Sequence, residues 1–154
     1  MSDRAPIKDS LDEREEMTLR LWIQIVRLAN RLQKDVDSRF RKKFGQNLTR
    51  FDILSQLERI PGNRMTVGQL SGSLLTSTTN ITRLLDRMEN DGLLERELSS
   101  TDRRSFEVCA TEKGLDLFRG MASDNAERIG QAFAAMSDSE MIALEKALHT
   151  VSTE

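Results

Sequence analysis

Apolar residues recur at helical spacing along most of this chain, and two short stretches near position 100 change to alternation. From about Asp12 to Phe44, the residues Trp22, Ile25, Val26, Ala29, Leu32, Val36, Phe40 and Phe44 follow the period of one long helix. Leu19, Leu21 and Leu28 widen its stripe, so the N-terminal half is apolar on more than one side. Gly45 is placed to close this helix. A short amphipathic helix follows, expected to be capped by Thr49 and carrying Phe51, Ile53, Leu54, Leu57 and Ile60. Pro61-Gly62 stops it, because proline lacks the N–H that continuation needs. Near the C-terminus, Thr111 caps a long helix with Leu115, Phe118, Ala122, Ile129, Phe133 and Met136 along one face. Ser137 to Glu140 is a capping box for the last helix, with Met136 and Met141 at the two staple positions. Met141, Leu144, Leu148 and Val151 form that helix's apolar edge. Residues 1 to about 12 are polar and expected to fray.

The middle of the chain carries the most information. Thr66-Val67-Gly68-Gln69 is a capping box that opens a short helix with Leu70, Leu74 and Leu75 on its apolar side. Thr76-Ser77-Thr78 breaks that pattern, and a second helix follows with Ile81, Leu84, Leu85 and Met88 as its stripe. Gly92 fits the left-handed position that ends it, with Leu93 folding back. Two short helices joined by a few polar residues predict a helix-turn-helix. Thr79, Arg83, Asp86 and Asn90 lie opposite the stripe of the second helix, flanked by Asn80, Arg87 and Thr82. With Ser77 and Thr78 they form a polar end and face whose Ser, Thr, Asn and Arg side chains could donate to phosphates and hydrogen-bond base edges; for an isolated helix they would read simply as a solvated face. Leu94–Leu98 and Phe106–Ala110 alternate as half-buried strands, and residues 99–105 form the polar loop of a hairpin. A hairpin directly after such a helix is a wing. Its tip carries Arg103 and Arg104, suited to a narrow minor groove, with Asp102 beside them as a buttress. Alone, that arginine pair would be an ordinary surface charge cluster; behind a helix-turn-helix it favours DNA.

These segments, LTSTTNITRLLDRMENDGLLER followed by STDRRSFEVCATEKGLDLF, resemble the MarR family of bacterial transcription regulators. The Asp102-Arg103-Arg104 wing, the Gly92-Leu93 helix end and Thr111-Glu112-Lys113-Gly114 all match the family's pattern. The resemblance implies a winged-helix homodimer that binds a palindromic operator in double-stranded DNA, often as a repressor released by a small aromatic compound. MarR-type pockets lie between the dimerisation helices and the winged-helix body. On that basis Trp22, Val26, Phe51 and Phe118 are the candidate effector residues, although each could equally be core. LTRFDILSQLERIPG and FRGMASDNAERI are similar to the branch that responds to aromatic acids or their CoA thioesters. That branch carries a histidine where this chain has Asn125.

Composition narrows the alternatives. The 154 residues, numbered 1–154, suit one chain of a single MarR-type unit, with a winged helix-turn-helix body at 46–110 and dimerisation helices at 12–44 and 111–152. The expected fold is mainly α with a small β-hairpin wing. Both terminal helices have apolar surface beyond what one small body can cover. Ile25, Ala29, Met141, Leu144 and Leu148 are therefore expected at a homodimer interface; the other reading of the first helix is the core helix of a monomeric bundle. A net charge of −2 argues against a generic polyanion binder, so the basic groups that meet DNA must be concentrated locally. No apolar run suggests a membrane span or a signal peptide, and a single cysteine fits a cytoplasmic setting. An enzyme, a metal site and a cofactor are not expected. His149 is the one histidine, and no phosphate loop or nucleophile elbow occurs. Cys109 falls on a wing strand, where a small buried hydrophobe is the expected role and redox sensing the alternative. A winged-helix module that docks another protein is the remaining alternative function.

Overall fold

The computed structural model describes residues 11–75, 80–99 and 106–152. The expected fraying of the first residues, and the expected roles of Thr76, Ser77, Thr78, Thr79, Asp102, Arg103 and Arg104, lie outside them. Helix α1 spans Glu13–Phe44, α2 Leu48–Glu58, α3 Val67–Ser73, α4 Ile81–Asn90, α5 Glu112–Phe133 and α6 Asp138–Ser152. Strands β1 Arg64–Thr66, β2 Leu94–Leu98 and β3 Phe106–Ala110 form an antiparallel sheet in the order β1-β3-β2. This is a winged helix-turn-helix with long helices before and after it.

Local chemistry sets most of the helix ends. Asp12 and Glu15 close a capping box at the start of α1, and Gly45 ends it at φ 65°. Thr66 and Gln69 close the box that opens α3, and Ser137 and Glu140 exchange the same bonds before α6. At the end of α4, Gly92 has φ 72°, its N–H donates to Glu89 O and the Leu93 N–H donates to Met88 O. Those are the two bonds of a Schellman motif. The turn is then locked from outside. Thr111 caps α5 through its hydroxyl, which also donates to Gly92 O at 2.7 Å, and Lys113 Nζ donates to Asp91 O at 2.7 Å. A Cβ on Gly114 would sit 2.2 Å from Leu93 O, so the start of α5 approaches this turn as only glycine allows.

Some expectations are corrected. The cap of α2 is Asn47, whose side chain accepts the Arg50 N–H, and not Thr49, which lies inside the helix. That helix ends at Glu58, so Ile60 stands outside it; Pro61–Asn63 is a 3-10 turn with Gly62 at φ 79°. Leu75 is 84% exposed and belongs to no apolar face of α3. Strand β1 was not expected: three residues are too few for an alternation signal, and it exists because Arg64–Thr66 pairs with Glu107–Cys109. In the hairpin, Leu98 and Phe106 pair in register yet both are exposed, and the neighbours Val108 and Cys109 are both buried, so burial does not follow the alternation read from the sequence.

The core has two parts. Ile53, Leu54, Leu57, Leu70, Leu85, Met88, Leu93, Leu94 and Val108 bind α2, α3, α4 and the sheet together. Val36, Phe40 and Met121 join α1 to α5, and partly buried Leu117 touches both clusters. Met121 and Asp124 extend the buried face of α5 beyond the stripe read from the sequence. The Asp124 carboxylate is gripped by Arg39 (Nη2 to Oδ1, 2.8 Å) and by Lys43. These cations hold its pKa well below the usual carboxylate range. No described helix is long and apolar enough to cross a membrane.

Candidate nucleic-acid interface and adjoining cavity

The amphipathic split of α4 decides what it offers to solvent. Leu85 and Met88 are buried and Ile81 and Leu84 pack against the core, which turns Thr82, Arg83, Asp86, Arg87 and Asn90 outward. Asn80 is the N-cap and not a residue of the helix face. Its Oδ1 accepts the Arg83 N–H at 3.2 Å, so it presets the first turn. Arg83 and Arg87 make no ion pair with any described residue. The arginines around them do. Arg96 on β2 bonds Asp86 at 2.6 Å and Glu89 at 2.7 Å, which staples the wing to α4 and occupies Asp86. Arg50 binds Asp91 at 2.7 Å and Arg64 binds Glu97 at 3.0 Å. The framework therefore consumes its own charges and leaves Arg83 and Arg87 for something else. Asn47 and Thr49, at the start of α2, share a cleft with Asn80, Arg83 and Arg87. Sequence reasoning assigned no site role to that pair, because only the packing of α2 beside α4 brings them there.

Behind this face lies a cavity of about 540 Å³ between α1, α2 and α5, within the range of about 300–1,000 Å³ common for ligand pockets. Phe51 and Phe118 line it with their rings stacked, centroids 5.3 Å apart. Leu32, Val36 and Ile129 supply more apolar wall. Trp22 and Val26 are not brought to it: they sit at 60% and 39% exposure on the projecting half of α1. Three polar residues stand out in the lining. Asp52 is buried and accepts the Leu75 N–H at 2.7 Å, just before the segment that leads into α4. The guanidinium of Arg59 at the rim makes no hydrogen bond or ion pair with a described residue. Asn125 Oδ1 is buried with no hydrogen-bond partner among the described residues.

Two other features bear on function. The apolar residues Met17, Leu19, Leu21, Trp22, Ile23, Ile25 and Val26 of α1, and Met141, Ile142, Leu144, Leu148 and Val151 of α6, are exposed; Ala29 is exposed among them. Helix α6 buries no residue at all within the chain. Cys109 is buried on β3, and burial pushes its thiol pKa up, which is the reverse of what a reactive thiolate needs. No group of three or more described His, Cys, Asp or Glu residues could hold a metal ion.

Comparison with known proteins agrees with this architecture. The profile described as MarR family matches residues 44–105. The transcriptional repressor MprA of Escherichia coli K12 is 34% identical over 68% of this chain, and the match spans 60% of that repressor's length. The transcriptional regulator MhqR of Bacillus subtilis is 32% identical, with 82% of this chain and 85% of MhqR aligned. Among solved structures, Sco3205 of Streptomyces coelicolor, a MarR family regulator in complex with DNA, superposes with a TM-score of 0.76 at 20% identity, covering 98% of this chain and 91% of that one. The chain belongs to the MarR family.

Proposed function

We propose that this protein is a DNA-binding transcription regulator, acting as a repressor, that grips a pseudo-palindromic operator as a homodimer and is released by a small aromatic effector. The observation that carries the DNA reading is the pair of exposed, uncompensated arginines, Arg83 and Arg87, on a helix braced to a wing by Arg96. Phosphates and base edges are the natural acceptors for such side chains. Ser77, Thr78 and Thr79 before α4, and Asp102, Arg103 and Arg104 in the wing loop, complete the proposed surface. The names of relatives are in keeping: MprA is a transcriptional repressor, and Sco3205 was solved with DNA. The unit at 46–110 would read DNA while 12–44 and 111–152 hold the dimer. The dimer rests on the bare apolar edges of α1 and α6, including Ile25, Ala29, Met141, Leu144 and Leu148. The effector rests on the cavity, whose stacked Phe51 and Phe118 suit a flat apolar body and whose Arg59 suits an acid group. An aromatic carboxylate, free or as a thioester, fits that description, with Trp22 and Val26 reaching it only if the partner subunit brings them there.

Titration of operator and scrambled duplexes at several salt concentrations tests the DNA reading. Arg83→Ala should lose roughly 1–3 kcal/mol at particular base pairs and relax the preference there. Arg103→Ala or Arg104→Ala should weaken both duplexes and flatten the salt slope by up to about 1.8 per dimer, about 0.9 per contact. If Arg83→Ala binds operator with unchanged affinity and base preference, α4 does not read DNA.

A further inference from the structure

One buried polar atom in the cavity lining has no hydrogen-bond partner among the described residues. Asn125 lies on α5 seven residues after Phe118, two turns on and on the same side of the helix, so both face the cavity. Its Oδ1 is buried and has no donor within the described residues. Buried acceptors are nearly always satisfied, and an orphan at a pocket wall is a place where a ligand donor gains the full bond. Of the other polar liners, Gln33, Ser55, Asp52 and Arg59, none has a buried side-chain atom left without a partner. The Asp52 carboxylate already holds the Leu75 N–H, and its second oxygen faces Gln56 Nε2 at 3.5 Å. Arg59 has only donors to give. The Asn125 carbonyl therefore asks for an O–H or N–H on a ligand that lies beside the stacked rings of Phe51 and Phe118.

We infer that Asn125 is a specificity-determining residue, and that the cavity selects aromatic acids carrying a hydroxyl or amino donor on the apolar body over the same compounds without one. This deepens the effector reading above and rests on it for the aromatic class. The methyl ether lacks the donor and is larger by a methyl, and the parent acid lacks it and is smaller by an oxygen, so a hydroxyl preferred over both reports the donor and not size.

The probes are the ring-hydroxylated isomers of benzoate and cinnamate, each with its methyl ether and its unsubstituted acid, measured by calorimetry on the full-length protein. At least one hydroxylated isomer should bind about fivefold or more tighter than both its ether and its parent acid. Asn125→Leu should bring that ratio to about one, whatever it does to the affinity for the unsubstituted acid. Asn125→Ala serves if the leucine variant misfolds, and the ratios on the unaltered protein stand without any variant. Equal binding of alcohol and ether across all isomers overturns the inference, as does a hydroxyl preference that survives in Asn125→Leu. Absence of binding by every probe overturns it too. Operator binding by the same unliganded preparation separates the two claims: it tests the regulator reading alone, whatever the probes do.

Discussion

At the scale of single residues, the ion pairs around α4 set the arginines of the framework apart from those proposed to meet DNA. Arg39, Arg50, Arg64, Arg96 and Arg128 each hold a carboxylate, whereas Arg83 and Arg87 hold none among the described residues. Asp124 is the clearest structural member of the first group. Its carboxyl lies below the usual range because Arg39 and Lys43 bond to it, and in an unfolded chain an aspartate titrates near about 3.9. A folded pKa below the unfolded one stabilises the fold fully above the unfolded value and loses that contribution as pH falls through it towards the folded pKa. Thermal melts from neutral pH down to about 3 should therefore show a declining Tm for the parent protein below about pH 4–5. Asp124→Asn should melt lower at neutral pH and fall less steeply on acidification. Parallel curves for the two proteins would mean that the link between α1 and α5 does not depend on the carboxylate's charge. Nothing local announces this link, since Arg39 and Asp124 are 85 positions apart.

At the scale of elements, legibility followed the range of the interaction. The capping boxes at Thr66 and Ser137, the glycine stops at Gly45 and Gly92 and both hairpin strands could be read because each is set by residues within a few positions of one another. Strand β1 could not, since its partner is more than forty positions away. The cap of α2 fell to Asn47 because two capping residues stood close together and only the path of the chain after Gly45 chose between them. The cavity was half legible for a geometric reason. Phe51 and Phe118 sit where α2 crosses α5, but Trp22 is fourteen residues from buried Val36, about 21 Å along α1. A 32-residue helix is about 48 Å long and outruns any body this small. The brace between α4 and the wing was not read at all, although Arg96 joins them through Asp86 and Glu89. Arg96→Met keeps the aliphatic stem and removes both bonds. It should leave the helical circular dichroism intact, speed amide exchange along β2 and weaken specific and non-specific DNA binding together. Unchanged exchange in Leu94–Leu98 would show that sheet pairing alone holds the wing.

At the scale of the whole molecule, the distribution of apolar surface demands a partner. Helix α6 has no buried residue, yet Met141, Leu144 and Leu148 line one edge of it. The first half of α1 is in the same condition, with Trp22, Ile23 and Ile25 all exposed. A fifteen-residue helix is barely stable in water on propensity alone, so α6 requires burial that this chain does not provide. In the proposed homodimer a second copy would supply it with the same two edges, since a two-fold axis lets each edge meet its own image or the other. The melting temperature should then rise with protein concentration, because association stabilises the folded state by mass action. Truncation after Met136 should yield a product that aggregates or fails to fold, since in the proposed dimer it would take away the surface that covers the exposed α1 edge. The same axis would carry the two α4 helices of the proposed dimer to successive major grooves, about 34–36 Å apart. Footprinting should accordingly find two protected half-sites centred about one helical turn apart, with the protection of both lost together on dilution. A well-behaved monomer from the truncated chain at micromolar concentration, or full affinity for a single isolated half-site, would separate the apolar edges from assembly and leave α6 without a reason to be helical.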